Sequence, residues 1–496
     1  MSLVAGIDAG TQSIKVVVYD PDAKRIVASA GAPLELISGD DGSREQHPSA
    51  WVDAVRSCFA AIDGGVRARI AALAVSGQQH GFVPLDADGN VLAPAKLWCD
   101  TSSSAQCGQI MQALGGAEAT IAAAGNPILA GYTASKLPWT REHRPEVYAK
   151  LATIALPHDY INYWLTGQLW MEHGDASGTG WLDVRTRTWS PALLQATDAA
   201  RDLGGCLPPL VAADALFPLS SVRAAELGLP AGVQVSAGGG DNMMAAIGTG
   251  NVAPGMLSMS LGTSGTLFAY ADHPVVDAAG RWAAFCDSTG GWLPLICTMN
   301  CTVATEAVAK MFGFSTRDGD ARIAATAPGA DGLLMLPFLN GERTPDLPLG
   351  KGVLAGIEPR NMSEAHVYRA AMEGATYSLK YGFDALVDAG LRFDAIRLTG
   401  GGSHSAQWRQ MVADIFELPV GVPEQAEGAA FGAALQALWA TARAADPSVE
   451  LATLAAEHVR LDPATTVQPD PATSSAYRAQ YARFLSHLDA VRPLYA

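Results

Sequence analysis

A chain of 496 residues, 49% hydrophobic and 17% charged, is long enough for two domains and too long for a single core. Its net charge of −16 excludes nonspecific nucleic-acid binding and an anionic membrane surface, because an acidic protein neutralises neither. Seven cysteines, an odd number with no CxxC pair, exclude a disulfide framework and a structural zinc site, and the ten histidines show no HExxH spacing.

From the N-terminus, Leu3 to Ile7 and Ile14 to Tyr19 read as two strands joined by the turn Asp8-Ala9-Gly10-Thr11-Gln12-Ser13. Glycine lets backbone approach a phosphate closely, and Thr and Ser hydroxyls add donors. His47-Pro48 opens a helix with Trp51, Val52, Val55, Phe59 and Ile62 on one face. A strand from Ile70 to Val75 runs into Ser76-Gly77-Gln78-Gln79-His80-Gly81, where an open α/β sheet places its ligands; a plain polar turn is the other reading. Residues 207–230 are rich in Pro, Ala and turn formers without a strong period. Val233 to Ala237 then forms a short strand leading into Gly238-Gly239-Gly240-Asp241-Asn242.

The boundary between domains is expected at 245–255, dividing the chain into 1–248 and 249–496. Just beyond it, Met256 to Met259 and Leu267 to Tyr270 flank a second turn, Leu261-Gly262-Thr263-Ser264-Gly265-Thr266. Ser363 is an N-cap for a long helix carrying Val367, Ala371, Ala375, Leu379, Phe383 and Leu386, and Gly390 ends it. A strand from Ala395 to Leu398 ends in Thr399-Gly400-Gly401-Gly402-Ser403, a turn suited to a flat base and ribose, and a helix with Trp408, Met411, Val412, Ile415 and Phe416 follows. The final ~50 residues are Ala-rich and helical in tendency.

The Gly-Thr turn written twice at matching strand positions predicts two similar lobes facing one nucleotide. If the turns at Asp8, Asp241 and Gly262-Thr263 converge, phosphates are held between Gly/Thr backbones and two carboxylates share the cleft. Phosphoryl transfer needs just these parts: a metal to offset charge, groups that place the γ-phosphate, and a base for the nucleophile's proton. Asp8 and Asp241 can divide the labour of metal holding and proton abstraction. The glycines before Asp241 read either as a close backbone approach to a ligand or as a loose loop. Lys15 reads either as a phosphate contact or as an exposed surface lysine.

These runs occur together with Leu97-Trp98-Cys99-Asp100, Thr133-Ala134-Ser135-Lys136-Leu137-Pro138-Trp139, Leu156-Pro157-His158-Asp159-Tyr160, Asp175-Ala176-Ser177-Gly178-Thr179 and Asn340-Gly341-Glu342-Arg343-Thr344-Pro345. Over essentially the whole chain the sequence resembles the FGGY family of carbohydrate kinases. The resemblance implies an α/β fold shared with actin, hexokinase and Hsp70, in which two duplicated ribonuclease-H-like lobes close over a central catalytic cleft. It implies phosphorylation of a small ketose, D-xylulose to D-xylulose 5-phosphate, with ATP and Mg²⁺. Asp241 is then the base and Asp8 helps place Mg²⁺ and the phosphates, both carboxylates serving the metal partly through water. Gly10, Thr11, Lys15, Gly262 and Thr263 fall at the phosphates, and Gly401, Gly402, Ser403 and Gln407 at the adenosine. Sugar contacts fall on Gln79, His80, Trp98, Asp100, Asp241 and Asn242.

Where one branch of the family has Met before the histidine and Asn inside Trp-x-Asp, this chain has Gln79 and Cys99. Ribulose, a deoxy-xylulose or an alditol are therefore the alternative acceptors. A sugar-sensing member of the same fold, or an ATP-hydrolysing chaperone or filament protein, is the alternative from another class; the intact Asp8, Asp241 and Gly-Thr turns speak against the first, and the lack of room for an appended β-rich domain or insertions speaks against the second. The partners expected are a sugar and ATP, with homodimers common among relatives. No apolar run reaches the roughly 18 residues that span a bilayer and no basic-then-apolar leader opens the chain, so a cytoplasmic protein without membrane or nucleic-acid partners is expected.

Overall fold

The computed structural model describes residues 2–425 and 427–495. The first apolar runs form β1 (Leu3–Ala9) and β2 (Ser13–Asp20), paired antiparallel, and β3 (Arg25–Pro33) lies along the far side of β2. β4 (Ile70–Gly77) returns parallel to β1, and β5 (Gln234–Ser236) lies parallel to β4. The order is β5-β4-β1-β2-β3, with Leu216–Pro218 antiparallel on the edge of β5. β1 is buried along nearly its whole length, which is why it is spelled as a continuous apolar run rather than an alternating one. Helix α1 (Pro48–Ala61) covers one face with the stripe expected of it: Trp51, Val52, Val55 and Phe59 are buried, and Trp51 Nε1 donates to Gln46 Oε1 at 2.9 Å.

The chain leaves this sheet through α2 (Asp241–Gly248) and builds a second one. β6 (Gly255–Leu261) and β7 (Gly265–Ala269) form a hairpin, β8 (Trp292–Thr298) pairs antiparallel with β7, and β9 (Phe393–Thr399) and β10 (Val420–Gly421) follow in parallel beyond β6. The order β8-β7-β6-β9-β10 repeats the five strands of the first sheet sense for sense, with Ala283–Cys286 added antiparallel on the outer edge of β8. This is the duplicated two-lobed α/β architecture expected from the doubled turn. Helix α3 (Glu364–Asp388), capped by Ser363 Oγ accepting from the His366 N–H, packs beside β7 and β8, and α4 (Ala406–Phe416) follows β9.

Two features depart from the pattern-level expectation. Within 207–230 the chain forms the edge strand Leu216–Pro218 and a helix, Ser221–Leu227, started by Ser220 Oγ and stopped by Gly228 at φ +65°. Seven residues are too few for a helical period to show. The second feature is α5 (Gly428–Ala445), which comes late in the chain yet packs on β1, β2 and β4 of the first sheet. With Val4, Val17, Tyr19, Ala72 and Ala74, and with Met244 and Ile247 of α2, it forms one apolar core. α2 and α5 cross backbone to backbone: a Cβ on Gly432 would overlap the Met244 carbonyl, and one on Gly248 the Gly428 carbonyl. Among the described residues, no helix is long and apolar enough to cross a membrane.

Candidate active site

Strand register gathers the first set of polar groups. Asp8 of β1 lies opposite Ser76 of β4, and Gly239-Gly240 pair with Ser76 and Gly77 on the other side of β4. Asp8 and Asp241 therefore stand at the ends of two strands that flank β4, with Ser76 Oγ donating to Asp8 Oδ1 at 2.9 Å. Burial pushes the Asp8 carboxyl up to about 6, against the Ser76 hydrogen bond and the Lys15 charge, which lower it. Burial pushes Asp241 up to about 7, with the charges of Asp8 and Asp175 adding to the effect. Asp241 opens α2, and one of its oxygens is pinned: Oδ1 accepts from the Asn242 N–H at 2.7 Å and from Asn242 Nδ2 at 3.0 Å. Among the described residues Oδ2 has no partner.

The glycine run before Asp241 is neither loose nor opened toward a ligand. Ser236 Oγ and the Gly238 N–H donate to Gln436 Oε1 of α5, and Gln436 Nε2 donates back to the Gly238 carbonyl. A Cβ on Gly238, Gly239 or Gly240 would meet the Val75 carbonyl, Ser288 or Gln79. These glycines answer to internal packing, which corrects the expectation of a close ligand approach there. The turn glycines behave differently. Gly10 and Gly262 have no positive φ, and a Cβ on either would meet only its own turn, Ser13 O at 3.5 Å or Ser264 O at 3.3 Å. Gly401 has no heavy atom within 4 Å of such a position. Backbone strain does not explain glycine at these three places, and a Cβ would be crowded only at Gly262, by the Ser264 carbonyl.

Thr11 Oγ1 donates to Gln78 Oε1 and accepts from Trp98 Nε1, each at 3.0 Å, so the half-exposed Trp98 indole is tied to the first turn. Lys15 is paired with Glu427 at 2.6 Å, a contact between β2 and the residue preceding α5. In the second lobe the Gly262 and Thr263 carbonyls accept from the N–H groups of Thr302 and Cys301, which leaves the Thr263 side chain exposed. Gly402 packs on Leu261 and Ser403 Oγ closes the turn on the Gly400 carbonyl at 2.7 Å, while Gln407 is half-buried beside them. Of the adenosine set, Gly401 alone presents open backbone.

The acceptor set divides as well. Gln79 Oε1 accepts from Asn242 Nδ2 at 2.6 Å, and Gln79 Nε2 points at the Met243 sulfur, a weak acceptor, at 3.0 Å. His80 stands between Tyr132 and Phe285 with ring centroids 5.3 and 5.1 Å away. Asp100 does not line the pocket. It is fully buried, Oδ1 accepts from Ser102 N–H and Oγ, and Oδ2 accepts from the Arg44 N–H and Lys96 Nζ. The inward carboxylate fixes the loop that carries Trp98 and leaves no oxygen for a sugar.

Residues 3–248 match the N-terminal domain of the FGGY family of carbohydrate kinases, and residues 257–441 match its C-terminal domain. The chain belongs to this family. It is 39% identical to the xylulose kinase of Haemophilus influenzae over 492 residues, 97% of this chain and 99% of that one. It is 40% identical to the xylulose kinase of Streptomyces coelicolor over 440 residues, covering 88% of this chain and 87% of the relative. Among solved structures, a protein described as a xyloylose kinase from Brucella ovis matches with TM-score 0.92 at 31% identity, covering 99% and 100% of the two chains. A gluconate kinase from Lactobacillus acidophilus shares the fold at TM-score 0.91 and 24% identity, again over 100% and 99%.

In this FGGY kinase, four buried groups around His80 carry no role in the motif reading. Asp175 Oδ1 accepts from both the backbone N–H and Nδ1 of His80, each at 3.1 Å, and Asp175 Oδ2 lies 3.1 Å from His158 Nδ1. Glu172 accepts the N–H groups of Gly174 and Asp175 and so fixes the turn from which Asp175 projects. Lys136 is likewise buried, its Nζ donating to the Ala130, Gly131 and Tyr132 carbonyls, which fixes the segment that places Tyr132 against His80. Asp175, His158 and Lys136 all sit in family motifs, but only the fold sets Asp175 on the His80 ring, His158 on Asp175 and Lys136 under the segment that carries Tyr132.

Proposed function

We propose that this kinase transfers the γ-phosphoryl group of ATP to D-xylulose, giving ADP and D-xylulose 5-phosphate. The observation that carries the chemistry is Asp241, whose Oδ1 is pinned by Asn242 while Oδ2 is free, and whose pKa is raised into the range where a carboxylate accepts an alcohol proton near neutral pH. Asp241 takes the proton of the attacking hydroxyl, and a well-placed base of this kind contributes about 10²- to 10⁴-fold. The acceptor assignment is supported by relatives of nearly full length that are xylulose kinases. Fold alone would not supply it, since a gluconate kinase shares the same frame.

Gly10 and Thr11 in one lobe and Gly262 and Thr263 in the other bracket the phosphates, and Gly401 gives the adenosine a side-chain-free surface. Lys15, held by Glu427, lies cross-strand from Asp8 and adds positive charge to the phosphate side. Asp8 and Asp241 are hard oxygen donors that repel one another, which suits a divalent cation completed by water and phosphate oxygens. Magnesium bound there offsets phosphate charge. Gln79, His80, Trp98 and Asn242 face the sugar, with Gln79 Nε2 and His80 Nε2 as the groups left for its hydroxyls.

The test is ADP release measured by a coupled assay with D-xylulose, D-ribulose, 1-deoxy-D-xylulose, D-xylitol and D-gluconate. D-Xylulose is expected to give the highest kcat/KM by at least tenfold. A higher value for another acceptor would overturn the substrate while leaving the kinase reading intact. No ADP release with any of the five would overturn both.

A further inference from the structure

His80 is the one residue of the acceptor set with a strained backbone, and the strain has an identifiable restraint. Its φ is +61°, left-handed for a residue with a Cβ, a strained conformation that persists only where the surroundings impose it. Thr133 Oγ1 donates to the His80 carbonyl at 3.0 Å, and a single oxygen, Asp175 Oδ1, receives both the His80 N–H and ring Nδ1. Gly178 leaves room for the ring, since a Cβ there would overlap it.

An ionised carboxylate accepts and never donates. Burial alone would raise the Asp175 pKa, but the hydrogen bonds of His158 and His80 outweigh it and hold the group at about 2. His158 is fully buried, with Asp175 Oδ2 on one ring nitrogen and Asp159 Oδ1 3.1 Å from the other, so it supplies a permanent partner to the far oxygen of Asp175. Nδ1 of His80 must therefore carry a proton. In the neutral ring, Nε2 is then a bare lone pair, and among the described residues it has no protein partner.

We propose that Asp175 is a positioning residue for the acceptor: it locks His80 in the Nδ1–H tautomer, so that Nε2 presents a hydrogen-bond acceptor that reads a sugar hydroxyl and has nothing to offer a carbonyl oxygen. His158 braces Asp175 from behind. This rests on the reading of the cleft as a sugar site. It adds a direction to that site, because hydroxyl and carbonyl ends of a ketose are told apart at Nε2, and an unmatched buried polar pair is costly enough to discriminate by one to two orders of magnitude.

The decisive measurement is made on the wild-type protein. Long-range ¹H–¹⁵N correlation of histidine-labelled wild-type protein, with the His80 signals assigned by their loss in His80→Gln, should show Nδ1 protonated and Nε2 pyridine-like; an Nε2–H ring would overturn the proposal. In Asp175→Ala the acceptor that holds the proton on Nδ1 is removed, so the ring is free to carry it on either nitrogen. The variant should show a mixed pattern with Nε2–H present and a KM for the best acceptor raised roughly 10- to 100-fold, with KM for ATP within about twofold. An unchanged sugar KM, or equal losses for sugar and ATP, would overturn it, the latter marking Asp175 as merely structural. If the variant fails to fold, His158→Gln must raise the sugar KM selectively, and a variant that leaves it unchanged overturns the bracing role. Should the best acceptor not be xylulose, the ring spectrum still decides the tautomer, so the two readings fail separately.

Discussion

Asp8, its cross-strand neighbour Lys15 and its parallel neighbour Ser76 occupy three places in the first sheet that Ser260, Thr266 and Thr399 occupy in the second. Gly10-Thr11 and Gly262-Thr263 follow at the same offset in each. One hairpin end has thus been given charge and the other only hydroxyls. The charged end also receives Asp241 from the turn after β5, beside β4; and where Gly77-Gln78-Gln79 follow β4, the matching places after β9 are Gly400-Gly401-Gly402, which carry no side chain at all. Duplication supplies two identical cradles for an anion; putting carboxylates on one alone gives the cleft a chemical side and a holding side.

Removing the base tests this division most severely. Asp241→Asn should lower kcat by about 10²- to 10⁴-fold with the sugar KM nearly unchanged, read by steady-state kinetics; turnover near wild type would erase the distinction between the two ends. The wild-type kcat/KM should fall as pH drops through about 7, because the protonated carboxyl cannot accept the hydroxyl proton. Stability should move the opposite way. A carboxyl whose folded pKa lies above its unfolded value costs stability once ionised, so the Asn variant should gain on wild type between about pH 4 and 7 and keep that gain above it. The gain should be on the order of 1–2 kcal/mol, after allowance for solvent in the cleft, measured by denaturant unfolding.

Putting charge on the holding side is the complementary test. Ser260→Asp should raise KM for ATP about 10- to 100-fold through repulsion of the phosphates, without creating a second metal requirement. An ATP affinity that is unaffected would mean that the second turn does not meet phosphate. The smallest effects separate open glycines from packed ones. Gly401→Ala should leave unfolding unchanged and weaken ATP by about fivefold, whereas Gly240→Ala, which drives a methyl into Gln79, should cost about 1–3 kcal/mol of stability.

The parts of this arrangement legible in the sequence are those written within one or two strands. Apolar runs of strand length bounded by Gly-Thr gave both hairpins, and Ser363 and Pro48 gave their helices. What sequence could not reveal depends on distant partners. The glycines before Asp241 look mobile in isolation, yet Gln436, 198 residues later, clamps Gly238. Asp100 follows an aromatic in a family motif and reads as a ligand contact, but Lys96 one strand-end earlier turns it inward. Asp175 lies 95 residues from the histidine it holds, and no local pattern links them. The late helix Gly428–Ala445 carries no sign in its Ala-rich spelling that it belongs against the first sheet.

The crossing of α2 and α5 has a mechanical consequence. Where Gly248 and Gly432 bring two helices together through main chain, with Met244 and Ile247 packed on α5 beside the contact, the crossing is the bearing about which α2 turns. Asp241 sits at the far end of α2 from Gly248, a lever arm of about 10 Å at 1.5 Å per residue. A rotation of about 6° at the bearing displaces the base by about 1 Å, a misplacement able to change a rate a hundredfold. Glycine at a contact remote from any substrate thus sets how finely the proton acceptor can be steered.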